Sequence, residues 1–225
     1  MFTPLPEIIH EDADLIVLSK PAGMPVEFNP FSERSLQDFV ADHCGHGIHI
    51  KTGPGVVHRL DKVTSGLVVM AKKPSILKQL NADFAERRVE KIYHLRVTGT
   101  PEPAAATLTH ELEKDDLARK AVILPRKTRN SKTAILHYTT EPSPPSESSS
   151  QKSGEHPNTS LLRISLETGR YHQIRAQLAA MGHPILGDTT YGGPEAARVM
   201  LHCSGLVIRH PKTGKLLRLN SPAPF

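Results

Sequence analysis

No tryptophan occurs in this 225-residue chain, and its aromatics are only six Phe and four Tyr. A stacking platform for unstacked bases therefore has little to be built from. Cysteine is scarcer still. Cys44 and Cys203 stand far apart and form neither a CxxC pair nor a disulfide framework, which fits two free thiols in a reducing interior. No apolar run approaches the ~18 residues of a membrane span. The opening MFTPLPEIIHEDAD has early prolines and acids where a signal peptide has a basic segment. These absences predict a soluble, cytoplasmic protein with no membrane partner. Neither GxGxxG nor the GxxxxGK phosphate loop occurs, so no cofactor is expected. His43, His46 and His49 recur every third residue, but they lie in a glycine-rich stretch with only Asp42 and Cys44 beside them, so no metal is expected either.

What the chain does have is basic charge, with 28 Lys and Arg against 23 Asp and Glu, a net charge of +5 and a pI near 9.2. That balance suits a polyanionic partner. A chain of this length buries roughly 70% of its unfolded surface, so one compact domain over residues 1–225 is expected, monomeric by default. Residues 141–158 (EPSPPSESSSQKSGEHPN) contain nothing aliphatic or aromatic to hold them to a core and read as a mobile insert between two strands.

The apolar run DLIVLS at 14–19 stops at Lys20-Pro21-Ala22-Gly23 and reads as a strand entering a turn. Ser35 with Asp38 three residues on predicts a capped helix start. Residues 45–55 are too rich in glycine for regular structure. They deliver VVHRLDKVTSG and then the strand-like LVVMA. Pro74 opens an amphipathic helix over 74–88, with Leu77, Leu80, Phe84 and Val89 on one face and Lys78, Asp83, Glu86 and Arg87 on the other. KIYHLRVTG alternates as a half-buried strand, and further strands are predicted at 106–112, 121–124, 133–138 and 161–166, an antiparallel middle third. A helix over 171–181 ends at Gly182, and strands at 199–208 and 215–219 flank HPKTG, a hairpin turn.

Three segments carry chemistry. His58-Arg59-Leu60-Asp61 puts an imidazole, a guanidinium and a carboxylate between a glycine-rich loop and a strand, a junction that often presents functional groups. By itself it is equally a capped turn with an ion pair. Thr168 to Arg175 (TGRYHQIR) crowds Arg170, His172, Gln173 and Arg175 at the front of a helix, where backbone N–H groups attract anions. A solvated basic helix end is the plainer alternative. The third, RKAVILPRKTRNSK at 119–132, has six basic residues and no acid. Phosphate backbones favour such a stripe, although a solvated hairpin has the same composition.

Together these segments resemble the RluA-type pseudouridine synthases. DLIVLSKPAGMPV, HRLDKVTSGLVVMAK, KIYHLRVTG, LETGRYHQIRAQLAAMGHPILGDTTYG and LHCSGLVIRHPKTG follow in that family's order, over nearly the whole chain except the insert. The resemblance implies an α+β fold with a long, largely antiparallel mixed sheet flanked by helices and a central RNA-binding cleft. It implies isomerisation of specific uridines in tRNA or rRNA by a single catalytic domain, without the small N-terminal RNA-binding domain of larger relatives. It implies Asp61 as the catalytic carboxylate, Tyr93 as the tyrosine beside the uracil, and Arg175 as the arginine that pairs with the catalytic carboxylate. Arg59 would enter the RNA helix where the target base leaves it, with His58, Lys20, Arg170, His172 and Gln173 as further RNA-binding residues. Leu60, Leu201 and His202 would support the site.

The chemistry suits these residue types. The N1–C1′ bond must break, the uracil turn and C5 join C1′, so the base has to leave the stack. A carboxylate could attack the sugar or remove a ribose proton, and both routes stay open. Two other functions use the same features: an RNA-binding chaperone of this fold without catalysis, and a hydrolase of N-glycosidic bonds, which would release free uracil.

Overall fold

The computed structural model describes residues 4–30, 33–51, 53–142 and 158–225, so all but the ends of the serine-rich insert lies outside the described residues. The chain divides into two compact units, Met1–Lys91 with His202–Phe225, and Ile92–Leu201.

The first unit is built around two strands that read as unbroken apolar runs because both faces are covered. These are β2 (Leu15–Lys20) and β4 (Ser65–Ala71), antiparallel with Leu15 opposite Ala71 and Lys20 opposite Gly66. Leu15 to Leu18 and Leu67 to Ala71 have no exposed surface. The outer strand β1 (Glu7–Glu11) lies antiparallel to β2 and was not expected from its polar, proline-flanked sequence. The short β3 (Gly55–Val56) pairs with the far end of β4.

The strand β10 (Leu201–Arg209) runs parallel to β4 through His202–Ser65 and Cys203–Gly66, and β11 (Leu216–Asn220) returns antiparallel to it. The parallel contact requires glycine. Gly66 has φ +115°, and a Cβ there would sit 2.3 Å from the Cys203 carbonyl oxygen. The hairpin turn at HPKTG forms as expected, with His210 N–H donating to the Lys215 carbonyl at 2.8 Å.

Two helices complete this unit. In α1 (Leu36–Cys44) the anticipated cap is present: Ser35 Oγ accepts from Asp38 N–H, and the Asp38 carboxylate accepts from Ser35 N–H. The second, α2 (Pro74–Ala85), begins at Pro74 as expected but stops three residues before Arg88. Its inward face is Ile76, Leu80 and, contrary to the amphipathic reading, Asp83. Arg87 turns the chain with φ +58°, so that Arg88 folds back and donates from Nε and Nη2 to Asp83 at 2.9 and 2.6 Å. That pairing lets a carboxylate occupy an inward position.

The second unit is the predicted antiparallel sheet. Its strands β5 (Glu90–Thr98), β6 (Ala105–Asp115), β7 (Lys120–Leu124), β8 (Lys132–Glu141) and β9 (Thr159–Leu166) lie in the order β5-β9-β8-β6-β7. In β5 Tyr93, Leu95 and Val97 are buried as the alternation predicts, but Arg96, expected on the opposite face, is buried too. The helix α3 (Gln173–Ala180) packs Ala176 against Leu112, Ala121 and Ala134, with Ile123, Tyr171 and Tyr191 at the margin of that cluster. It starts two residues later than expected because His172 takes a left-handed conformation, φ 50° and ψ 26°. Gly182, with φ +84°, closes its other end as anticipated.

Candidate active site

Asp61 lies half-buried in the turn between the glycine-rich loop and β4, and Thr64 N–H donates to its carbonyl at 3.0 Å. A second loop braces this turn. Lys20, 1% exposed, donates from Nζ to the carbonyls of Pro21 (2.9 Å), Met24 (2.7 Å) and Lys62 (3.3 Å), and Gly23 N–H reaches the same Lys62 carbonyl at 2.8 Å. The Lys-Pro-Ala-Gly turn therefore holds the residue next to Asp61 from inside. Leu60 packs inward beneath it.

On the other side of the turn, Ser65 is tied to His202. Ser65 Oγ meets His202 Nδ1 at 2.7 Å, and Nε2 lies 3.0 Å from the Ser221 carbonyl. A carbonyl can only accept, so Nε2 carries a proton toward Ser221. This buried imidazole links β4, β10 and the C-terminal segment just beyond Asp61.

His58 and Arg59 part ways. Burial, with the Lys91 ammonium acting in the same sense, pushes His58 down to about 3, so the imidazole is neutral at ordinary pH. Its Nε2 accepts from Val69 N–H at 3.2 Å, and its ring stacks on Phe84 at 4.7 Å. Arg59 is exposed and donates to Glu27 at 2.6 Å. An exposed pair of this kind contributes little to stability and leaves the guanidinium available to a phosphate.

In the second unit, Arg175 on α3 is 4% exposed, and Asp188, 1% exposed, takes its Nε and Nη2 at 2.7 and 2.8 Å. The guanidinium carbon also lies 5.0 Å from the centre of the Tyr191 ring. Tyr191 is held in turn by Ala121 N–H at 2.7 Å and by His172 Nδ1 at 3.1 Å. Asp188 sits in a tight loop where Gly193 N–H and Tyr191 N–H both donate to its carbonyl. Gly187 is required there, since a Cβ would fall 2.0 Å from the Arg198 carbonyl oxygen. Tyr93 is buried on β5, opposite Ile164.

The family model described as RNA pseudouridylate synthase matches residues 14–180, three quarters of the chain. The chain belongs to that family. An uncharacterized RNA pseudouridine synthase of Chlorobaculum parvum is 34% identical over 96% of this chain and 70% of its own length. The dual-specificity RNA pseudouridine synthase RluA of Escherichia coli is 30% identical over 97% of this chain and 93% of its own. The human RNA pseudouridylate synthase domain containing 1 has the same fold, with a TM-score of 0.77 at 23% identity over 98% of this chain and 84% of that one. The chain is thus an RluA-type synthase and an RNA uridine isomerase, with the mixed α+β fold of that family.

The synthase gives its anticipated residues different surroundings. Arg59 and Arg170 are exposed, and His172 stacks half-buried on Tyr171 at 3.8 Å. Lys20, His58 and Gln173, anticipated as RNA-binding, make internal braces. Gln173 is 3% exposed; its Oε1 accepts from Thr168 Oγ1 and Arg170 N–H while its Nε2 donates to the Ile135 carbonyl, which fixes the loop before α3. Leu201 and His202, anticipated as supporting residues, are buried. Sequence reasoning missed Asp188 and Tyr191. The signal was present in ILGDTTYGG, an acid and an aromatic in a loop so rich in glycine that its backbone must pack closely. Among the described residues no helix is long and apolar enough to cross a membrane, and neither Cys44 nor Cys203 is in a disulfide.

Proposed function

We propose that this synthase isomerises specific uridines in structured RNA, tRNA or rRNA, with Asp61 as the catalytic carboxylate and residues 1–225 as one catalytic domain. The observation that carries this reading is the construction around Asp61. A buried ammonium with three carbonyl partners and a buried histidine with two spend their bonding capacity on a turn whose one distinctive side chain is a carboxylate.

In the proposed reaction the target nucleotide leaves the stack and Arg59 fills its place. Asp61 acts on the ribose, as nucleophile at C1′ or as base on a ribose proton, and the N1–C1′ bond breaks. The uracil turns, C5 bonds to C1′, and the hydrogen on C5 is lost while N1 gains one, so nothing is consumed. Tyr93 lies beside the base and Arg175 acts with the carboxylate. Arg170 and His172 contact the RNA. The enzyme works as a cytoplasmic monomer, and no cofactor takes part.

Incubation with unmodified tRNA and with ribosomal RNA, followed by carbodiimide treatment and primer extension, tests the proposal. New stops with the native protein alone, absent with Asp61→Asn, are expected and would name the substrate. Release of free uracil would establish a glycosidase instead. Binding of both RNAs without stops would establish a non-catalytic binder.

A further inference from the structure

The loop between β7 and β8, residues 125–131, with the first residue of β8, carries Arg126, Lys127, Arg129 and Lys132 on an exposed surface. A run of exposed cations is usually a loosely solvated face, but this one is built. Thr128 and Ser131 bond reciprocally: Thr128 N–H donates to Ser131 Oγ at 2.9 Å, and Ser131 N–H donates to Thr128 Oγ1 at 3.0 Å. Both hydroxyls then anchor to β6, Thr128 Oγ1 to Glu113 at 3.0 Å and Ser131 Oγ to Glu111 at 2.7 Å. Thr133 Oγ1 takes the other Glu111 oxygen at 2.6 Å, and these two hydroxyls hold the Glu111 carboxyl below its usual range.

Glu111 and Glu113 are thus turned to hydroxyls; Lys127 adds its attraction to the lowering of Glu111, and among the described residues none of the four cationic side chains makes a hydrogen bond or ion pair. Several cations of the first unit do have carboxylate partners: Arg59 pairs with Glu27, Lys62 with Glu33, Lys73 with Asp14 and Arg88 with Asp83. The loop also adjoins a residue proposed above to contact RNA, since Arg170 Nε donates to the carbonyl of Thr133, next to Lys132, at 3.1 Å.

We infer that the braced 125–131 loop is a phosphate-binding surface that extends the RNA contact beyond Arg170, its hydroxyl-to-carboxylate bonds presenting Arg126, Lys127 and Arg129 together to one stretch of RNA backbone. The inference rests on the proposed RNA substrate. Preordering lowers the entropy lost on binding, and each phosphate neutralised releases counterions.

The test is the salt dependence of binding to a pool of unmodified tRNA transcripts. The triple variant Arg126→Gln, Lys127→Gln, Arg129→Gln is compared with Lys51→Gln, Lys78→Gln, Lys215→Gln, which removes the same charge elsewhere. Thermal unfolding confirms that both fold. The loop variant should lower the slope of log affinity against log salt by roughly 2 to 3 and bind at least about tenfold more weakly. Its isomerisation rate at saturating RNA should hold while KM rises, and the control should stay near the parent. Equal loss in both variants, or loss in neither, overturns the inference. The readout stands apart from the catalytic proposal. If the parent binds RNA without making pseudouridine and the loop variant still loses binding, catalysis fails and the surface stands; if the loop variant binds like the parent and turnover is normal, the reverse holds.

Discussion

Removing the carboxylate of Asp188 should be among the costliest single changes in the second unit. Its side chain and that of Arg175 are 1% and 5% exposed, and two charge-assisted bonds of 2.7 and 2.8 Å join them. Asp188→Ala leaves the guanidinium buried without that counter-charge, which costs about 3–5 kcal/mol against a total stability of roughly 5–15 kcal/mol. Asp188→Asn keeps one acceptor and should cost about half as much. The double variant Arg175→Met, Asp188→Leu removes both charges and fills the space. It should recover most of the loss, short of about 1 kcal/mol for the contact of Arg175 with Tyr191. Urea unfolding, with slopes checked for two-state behaviour, gives the three stabilities. Pseudouridine formation should be lost in the double variant although it folds well, because a supporting pair can be replaced by packing whereas a guanidinium acting on the site cannot. If Asp188→Ala costs less than about 1 kcal/mol, or the double variant is as unstable as the single, the pair is not the buried anchor described here.

Three further outcomes follow from the first unit. Gly66→Ala should cost more than about 2 kcal/mol, from positive φ together with overlap on the Cys203 carbonyl, and denaturant midpoints measure it; a near-neutral result would mean that β4 and β10 do not approach so closely. His58 binds a proton more weakly folded than unfolded, so stability is complete above pH ~6.5 and falls as pH drops toward 3. The loss near pH 5 is about 2 kcal/mol, and His58→Gln, which can still accept from Val69, should flatten that part of the curve. An unchanged acid slope would show that His58 is not the titrating group. Lys20→Met should lower kcat more than it raises KM, because Lys20 braces the Asp61 turn from inside; a change in KM alone would give it a direct part in RNA binding.

The strands were legible wherever burial made a clean pattern. The unbroken β2 and β4 and the Tyr93, Leu95 and Val97 face of β5 were read correctly, and so was the Ser35–Asp38 cap, whose bonds are local. Asp83 was misplaced because its inward position depends on Arg88 folding back across a left-handed residue, which helical periodicity does not encode. The strand β1 was missed because an edge strand gains its partner from elsewhere in the chain. Of the candidate site, residue types were legible but partners were not. Lys20, His58 and Gln173 have the chemistry of RNA contacts, and only long-range bonds show that they brace loops. Asp188 escaped notice for the same reason, since its partner lies 13 residues away on a different element.

Tritium release from RNA labelled at uracil C5, compared between the native protein and Asp61→Asn, is the most direct measurement. Pseudouridine formation expels the C5 hydrogen, so the native protein should release tritium, while the variant, folded and still binding the same RNA, should release none. Comparable release from both would remove Asp61 from the chemistry and contradict the proposed mechanism.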